Sequence, residues 1–404
     1  MSHLHEAQQR HAAHYVEVLR TADRLYEQGG KSLIRGLALF DEEWPNIQAG
    51  QEWVAANVEQ GSVVAALCRD YTLFGIHCLD LRLHPHKRIS WLEVALKGAQ
   101  RLKDLNGEGS LLGNLGNAYF RLGELHRAIE FYEQDLQITR KSSDSEGEVA
   151  TLGNLGSTYA ALGEPHYAID LYQQALQIAR EIGNRRGEGM TLGKLGLAYS
   201  DLGETRRAID LYEQRLRIAH ETGDRQGEGA ALGNLGLAYA DLGDLRQAIE
   251  YYQLVLQIAH EIGDRQWEGQ ALCSLGTAYH IMDGPRRAIE FYERYLQITR
   301  EIGDQQGEGE ALGNLGAAYG DLGELRHAIE YFKQDLQIAR TIGYRRGEVR
   351  ASWNLGTTYA RLGELSEAVN AMQVRVDFEY EIGHPDADKY AAQVKDLRMQ
   401  LDAS

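Results

Sequence analysis

From Gly107 onward the chain matches itself at an offset of forty residues, through seven consecutive units without an insertion or deletion. The units begin at Gly107, Gly147, Gly187, Gly227, Trp267, Gly307 and Gly347. A register kept this strictly means that each unit meets the same kind of neighbour, which restricts the chain to repeat architectures. Composition carries the same mark, because 44 Gly against 5 Pro and 22 Tyr against 7 Phe place a few residue types at fixed positions. Leu235, Gly236, Tyr239 and Ala248 of the fourth unit recur in all seven.

Within that unit Leu232, Leu235, Tyr239 and Leu242, and then Leu245, Ala248, Ile249, Tyr252, Leu256 and Ile258, follow helical spacing. Each unit is therefore expected to be two amphipathic helices. Gly243 suits the turn between them, and Pro165 and Pro285 stand just after that turn in their units, where a helix start tolerates proline. Gly263 is the expected stop of the second helix and Asp264 the expected cap of the next first helix. Loops of about three residues force neighbouring helices antiparallel. A helix pair this small cannot bury its apolar stripe alone and must stack on its neighbours. The expected organisation is an all-α solenoid: a helical region over 1–106, seven units over 107–386, and a capping helix over 387–404 with Tyr390, Val394, Leu397 and Leu401 on one side.

Four glycines on the first helix, Gly227, Gly229, Gly233 and Gly236, need a reason, since a mid-helix glycine costs about 1 kcal/mol relative to alanine. Close helix approach is one reason and room for a ligand in a groove is another. Gly236 belongs to the buried Leu-Gly pair, whereas Gly233 lies on a different face.

Leu232, Leu235, Gly236, Tyr239, Ala248 and Tyr252 together resemble the tetratricopeptide repeat signature, over residues 107–386. The family's usual alanine late in the second helix is kept only as Ala175, and is replaced by Asp135, Arg215, Val255, Tyr295, Asp335 and Arg375. The usual terminating proline is absent. These long units resemble those of kinesin light chains and Pins-type scaffolds. The resemblance implies a right-handed superhelix whose first helices line a concave face that holds extended peptides or partner segments.

With Leu235 and Tyr239 buried, the opposite stripe is Gln226, Ala230, Gly233, Asn234, Leu237 and Asp241. The Asn234 position reads Asn114, Asn154, Lys194, Asn234, Ser274, Asn314 and Asn354. Asparagine is a mediocre helix former, so its recurrence asks for a function. A carboxamide offers donors and an acceptor suited to the backbone of an extended chain, as equivalent residues do in the related long-repeat families. The other reading is that these residues bond to a neighbouring unit and hold the stack. Gln226 and Gln266 mark the rim. Arg346, Arg350, Trp353 and Arg361 at the C-terminal end are equipped for an acidic or aromatic ligand group.

The formal charge of −17 sits almost wholly after residue 106, which argues against nucleic acid as a partner. Cys68, Cys78 and Cys273 form no disulfide framework and no stretch suits a membrane span, so a cytoplasmic protein is expected. The recurring Glu108, Glu148, Glu188, Glu228, Glu268, Glu308 and Glu348 read as solvated first-turn residues.

Residues 1–106 carry helical patterns near 8–28, 31–57, 61–80 and 86–103. Phe40, Glu43, Asn46, Ile47 and Trp53, followed by Trp91, Leu92, Ala95 and Leu96, resemble the helical segment before the sensor repeats of bacterial STAND (NB-ARC-like) signalling ATPases. That resemblance implies the sensor half of a larger protein. Gly29, Gly30, Lys31 and Ser32 imitate the end of a P-loop, but amphipathic helices flank them in place of a strand. His77, His84 and His86 have no Cys or carboxylate at metal spacing, and no catalytic motif is present, so neither metal, cofactor nor enzymatic activity is expected. The expected function is peptide or protein recognition in the concave groove. A self-associating scaffold without a peptide ligand is the alternative.

Overall fold

The computed structural model describes residues 3–403, and among them there are twenty α-helices and no strand. They divide into two compact units, the first ending at Leu211 and the second beginning at Tyr212.

The first unit opens with α1 (His3–Glu27), α2 (Gly30–Asn57), α3 (Ser62–Leu73), α4 (Ile76–Arg82) and α5 (Pro85–Leu102). Leu19, Phe40, Ile47, Tyr71, Leu79 and Trp91 form their shared core. The single helix expected over 61–80 is broken into α3 and α4. Gly75 lies against Leu19, where a Cβ would fall 2.6 Å from that side chain. The Asp23 carboxylate of α1 accepts the Cys78 N–H at 2.9 Å and so caps α4 from a distant helix. The imitation P-loop follows helix α1, and Lys31 is exposed at the start of α2.

The same unit continues through the pairs α6 (Leu105–Arg121) with α7 (Leu125–Ser142), and α8 (Ser145–Ala161) with α9 (Pro165–Glu181). It ends in α10 (Arg185–Asp201) and the first part of α11 (Thr205–Thr222). The second unit holds α12 (Arg225–Asp241), α13 (Leu245–Ile262), α14 (Arg265–Asp283), α15 (Pro285–Ile302), α16 (Gln305–Asp321), α17 (Leu325–Thr341), α18 (Arg345–Leu362), α19 (Leu365–Glu381) and α20 (Ala387–Ala403). Each unit shows the all-α, paired-helix stacking of a solenoid. Buried alanine and tyrosine repeat through it, as Ala128 with Tyr132, Ala168 with Tyr172, and Ala248 with Tyr252.

Local chemistry fixes the turns. Gly243 and Gly263 adopt φ of 80° and 73°, the left-handed region that glycine enters without penalty. Asp104, Asp144, Asn184, Asp224, Asp264 and Asp304 each accept the N–H three residues on and cap a first helix. Pro165 and Pro285 begin α9 and α15. Asp264→Ala should cost about 1 kcal/mol, read as a lower urea midpoint at unchanged slope.

The glutamates of the first turns differ from the solvated residues expected. Glu188 and Glu268 are buried. Arg180 and Arg185 hold Glu188 at 2.8 and 2.5 Å, and Arg140, Arg300 and Arg340 reach Glu148, Glu308 and Glu348 at 2.7, 2.7 and 2.9 Å. The row therefore ties each second helix to the first helix that follows it. At the C-terminus, Val394 of α20 is buried against Val369, Met372 and Val376.

Candidate functional site

The glycines of the first helices divide into two kinds. At Gly156, Gly236 and Gly276 a Cβ would fall 2.4–2.5 Å from the ring of Tyr172, Tyr252 or Tyr292. Those glycines let an aromatic ring of the paired helix lie on the backbone. At Gly233 the nearest atom to an added Cβ is a methyl of Val255 at 3.9 Å, so this glycine opens space.

That space is part of a cavity of about 270 Å³ lined by Ala230, Gly233, Asn234, Leu237, Trp267 and Ser274, among others. In the first unit Asn114 and Asn154 line a cavity of about 320 Å³, and Asn154, Arg186 and Lys194 line one of about 210 Å³. Asn114, Asn154, Asn234 and Asn354 are all half-buried. Among the described residues their carboxamides have no hydrogen-bond partner within the chain. Two members of the row instead brace the stack. Lys194 Nζ donates to the Gly153 carbonyl at 2.9 Å, and Asn314 Nδ2 approaches Cys273 Sγ at 3.5 Å. Burial holds the Lys194 ammonium below the ordinary lysine value and pushes the Cys273 thiol up to about 12.

Gln226 and Gln266 are exposed, as is Arg346. The rest of the C-terminal cluster is committed to the chain itself. Arg350 binds Asp335 through one nitrogen at 3.3 and 3.4 Å, and Arg361 donates to the Gly320 carbonyl at 2.8 Å. Trp353 packs edge-on against Tyr390, with the Arg375 guanidinium over its ring at 5.2 Å.

The floor of these cavities is built from residues outside the stripe expected from the sequence. The residues that replace the family's alanine on the second helices sit under the first-helix stripe. Asp135 (6% exposed) lies beneath Gly109 and Gly113, and Asp335 (1% exposed) beneath Gly309 and Gly313. Thr151 Oγ1 donates to Asp135 at 2.6 Å. Desolvation pushes both carboxyls up to about 6. Their signal in the sequence was an acidic residue at a position where the pattern calls for a small apolar one. Asn117, which accepts from the Tyr132 hydroxyl at 2.6 Å, joins the same cavity as Asp135.

Elsewhere, the fold brings His77 to carboxylates that spacing along the chain did not reveal. Its Nδ1 lies 3.0 Å from Asp23 and 3.8 Å from Glu27. Asp23 also accepts the Cys78 N–H, so this cluster ties α4 to α1. No helix among the described residues is long and apolar enough to cross a membrane.

A tetratricopeptide repeat profile matches residues 107–181, 148–221, 228–301 and 307–377, and a second matches 194–260. Together they cover more than half of the sequence. The chain belongs to the tetratricopeptide repeat family. No curated protein matches it. Among solved structures it is similar to a Signal Transduction ATPase with Numerous Domains (STAND) protein with a tetratricopeptide repeat sensor from Pyrococcus horikoshii. That match has 15% identity and a TM-score of 0.62, and covers 93% of this chain and 65% of that one. It is also similar to the apo form of the quorum sensor NprR from B. thuringiensis, at 13% identity and a TM-score of 0.57, covering 98% and 99%. A third is aspartyl phosphate phosphatase F from Bacillus subtilis, at 14% identity and a TM-score of 0.56, covering 84% and 94%. At these identities the likeness concerns the fold, the N-terminal helices included.

Proposed function

We propose that this chain is a non-catalytic recognition module that holds an extended protein segment along the first-helix face of its repeats. The observation that carries this reading is the row of half-buried carboxamides, Asn114, Asn154 and Asn234, open to cavities and without partners in the chain. Their donors and acceptor face open space and are not used up by the fold, so they are free to pair with a ligand backbone. The carboxamides would grip the backbone whatever its sequence, while the residues that vary from unit to unit select side chains. The cavities are formed between packed helices, so little ordering is needed on binding. The repeats would occupy 107–386, between the N-terminal helices and the capping helix over 387–404. The wider context we favour is ligand sensing within a STAND-type signalling protein. It rests on the N-terminal resemblance and on a shared fold that spans those helices.

Changing Asn114, Asn154, Asn234, Asn314 and Asn354 together to Ala should weaken capture of a partner from lysate of the source organism at least about thirtyfold, counting the four carboxamides not engaged within the chain. This follows from about 0.5–1.5 kcal/mol for each neutral hydrogen bond lost. Circular dichroism checks that the variant remains folded. Equal capture by parent and variant would make the asparagines structural and put the self-associating scaffold ahead, which sedimentation of the chain alone then tests.

A further inference from the structure

We propose that the cavity over Asp135 is a cation subsite, built to receive the guanidinium or ammonium group of a ligand. The chain carries a filled version of this site five repeats later. Asp335 stands at the register of Asp135, under the equivalent pair of glycines, with the ideal Cβ positions 3.1 and 2.9 Å from its oxygens, against 3.1 and 3.0 Å at Asp135. Arg350 reaches Asp335 from the following first helix. The residue equivalent to Arg350 beside Asp135 is Ala150, an exposed residue on the cavity wall. Where both positions of this register are polar they bond: the Tyr295 hydroxyl donates to Glu310 at 3.2 Å, and Arg375 donates to the Tyr390 hydroxyl at 2.6 Å.

At Asp135 the partner is missing and space takes its place. Thr151 satisfies one carboxylate oxygen. The cavity of about 320 Å³ contains a second acid, Asp144, and no basic residue in its lining. Asn114, Asn117 and Asn154 supply further acceptors and donors around the void. A buried carboxylate without a counter-charge favours a cation in that space, and a guanidinium spans it with several donors at once. Burial already disfavours the ionised form of Asp135, as it does at Asp335.

The subsite rests on the reading of this face as a ligand groove, and its test is separate. The probe is N-acetyl-L-arginine methylamide, titrated into the full chain and followed by saturation-transfer NMR, with the isosteric citrulline compound as the neutral control. The parent should bind the arginine probe saturably, and the citrulline compound at least about tenfold more weakly, as expected for loss of a charge-assisted hydrogen bond. Asp135→Asn should lose the arginine preference. Ala150→Arg, which supplies the chain's own guanidinium at the register of Arg350, should block the probe. Arg350→Ala should open a second site over Asp335. Equal binding of both compounds by the parent, or an arginine preference that survives both Asp135→Asn and Ala150→Arg, overturns the proposal. Probe binding combined with asparagine-independent partner capture keeps the subsite and removes the extended-segment reading. The reverse combination removes the subsite alone.

Discussion

Gly236→Ala and Gly233→Ala, one helical turn apart on α12, should move stability in opposite directions. At Gly236 the new methyl would sit 2.5 Å from Cε1 of Tyr252, a ring only 5% exposed and held in the core with Ala248, Leu275 and Tyr279. An aromatic ring on the neighbouring helix cannot yield by rotating a flexible end, so either the ring or the helix spacing must give. Overpacking of this kind costs about 1–3 kcal/mol, which exceeds the gain in helix propensity. At Gly233 the same methyl meets nothing closer than Val255 at 3.9 Å. There the lower entropy of the unfolded chain and the better helix former prevail, and stability should rise by about 0.5–1 kcal/mol. Urea unfolding of the full chain, read as the midpoint of the transition that contains α12, measures both. Gly156→Ala should repeat the Gly236 result against Tyr172 in the first unit. If Gly236→Ala proves neutral, the ring does not fix the helix spacing and the two classes of glycine merge.

The contrast also shows which parts of the molecule the chain makes legible. Helices, turns and caps are set by neighbours within a few residues, so Gly243, Gly263 and Asp264 could be assigned roles before any tertiary contact was known. The Asn114 row was legible for a similar reason, because helical geometry alone separates it from the Leu-Gly face. What escaped depends on residues that only packing brings together. The break between α3 and α4 is fixed by Leu19 and Asp23 on another helix. Arg350 looked free for a ligand because nothing in its own helix reveals the buried Asp335 beneath it. Asp135 was visible as a departure from the family alanine, yet its place on a cavity floor follows from where the next first helix sets Thr151 and Ala150. Repetition helps here too, since a fixed register turns a contact in one unit into a comparison with all the others.

Asp135→Asn together with Asp335→Asn should stabilise the chain at pH 7 more than at pH 5. Both carboxyls are raised from an ordinary value of 3.8 to about 6 in the folded chain, with burial the largest cause at each. A group whose folded value is raised contributes stability below its unfolded value and loses that contribution as the pH rises through the folded one. The parent should therefore lose about 1 kcal/mol per site between pH 5 and pH 7 relative to the amide variant, which resembles the protonated acid at every pH. The surroundings differ in sign. Asp144 adds to the elevation at Asp135 while Thr151 opposes it, and at Asp335 the Arg350 guanidinium opposes it while Glu310 shares the cavity. Desolvation outweighs the long contact from a single nitrogen of Arg350, so the filled site should still titrate in the same direction. Denaturation of parent and double variant at pH 5, 6 and 7, compared as differences, cancels the many exposed acids common to both. A difference that shrinks as the pH rises would mean that these carboxylates are stabilised in their ionised form, as in a well-formed ion pair. The floor of the cavities would then be a structural salt link and not a pair of acids held short of charge.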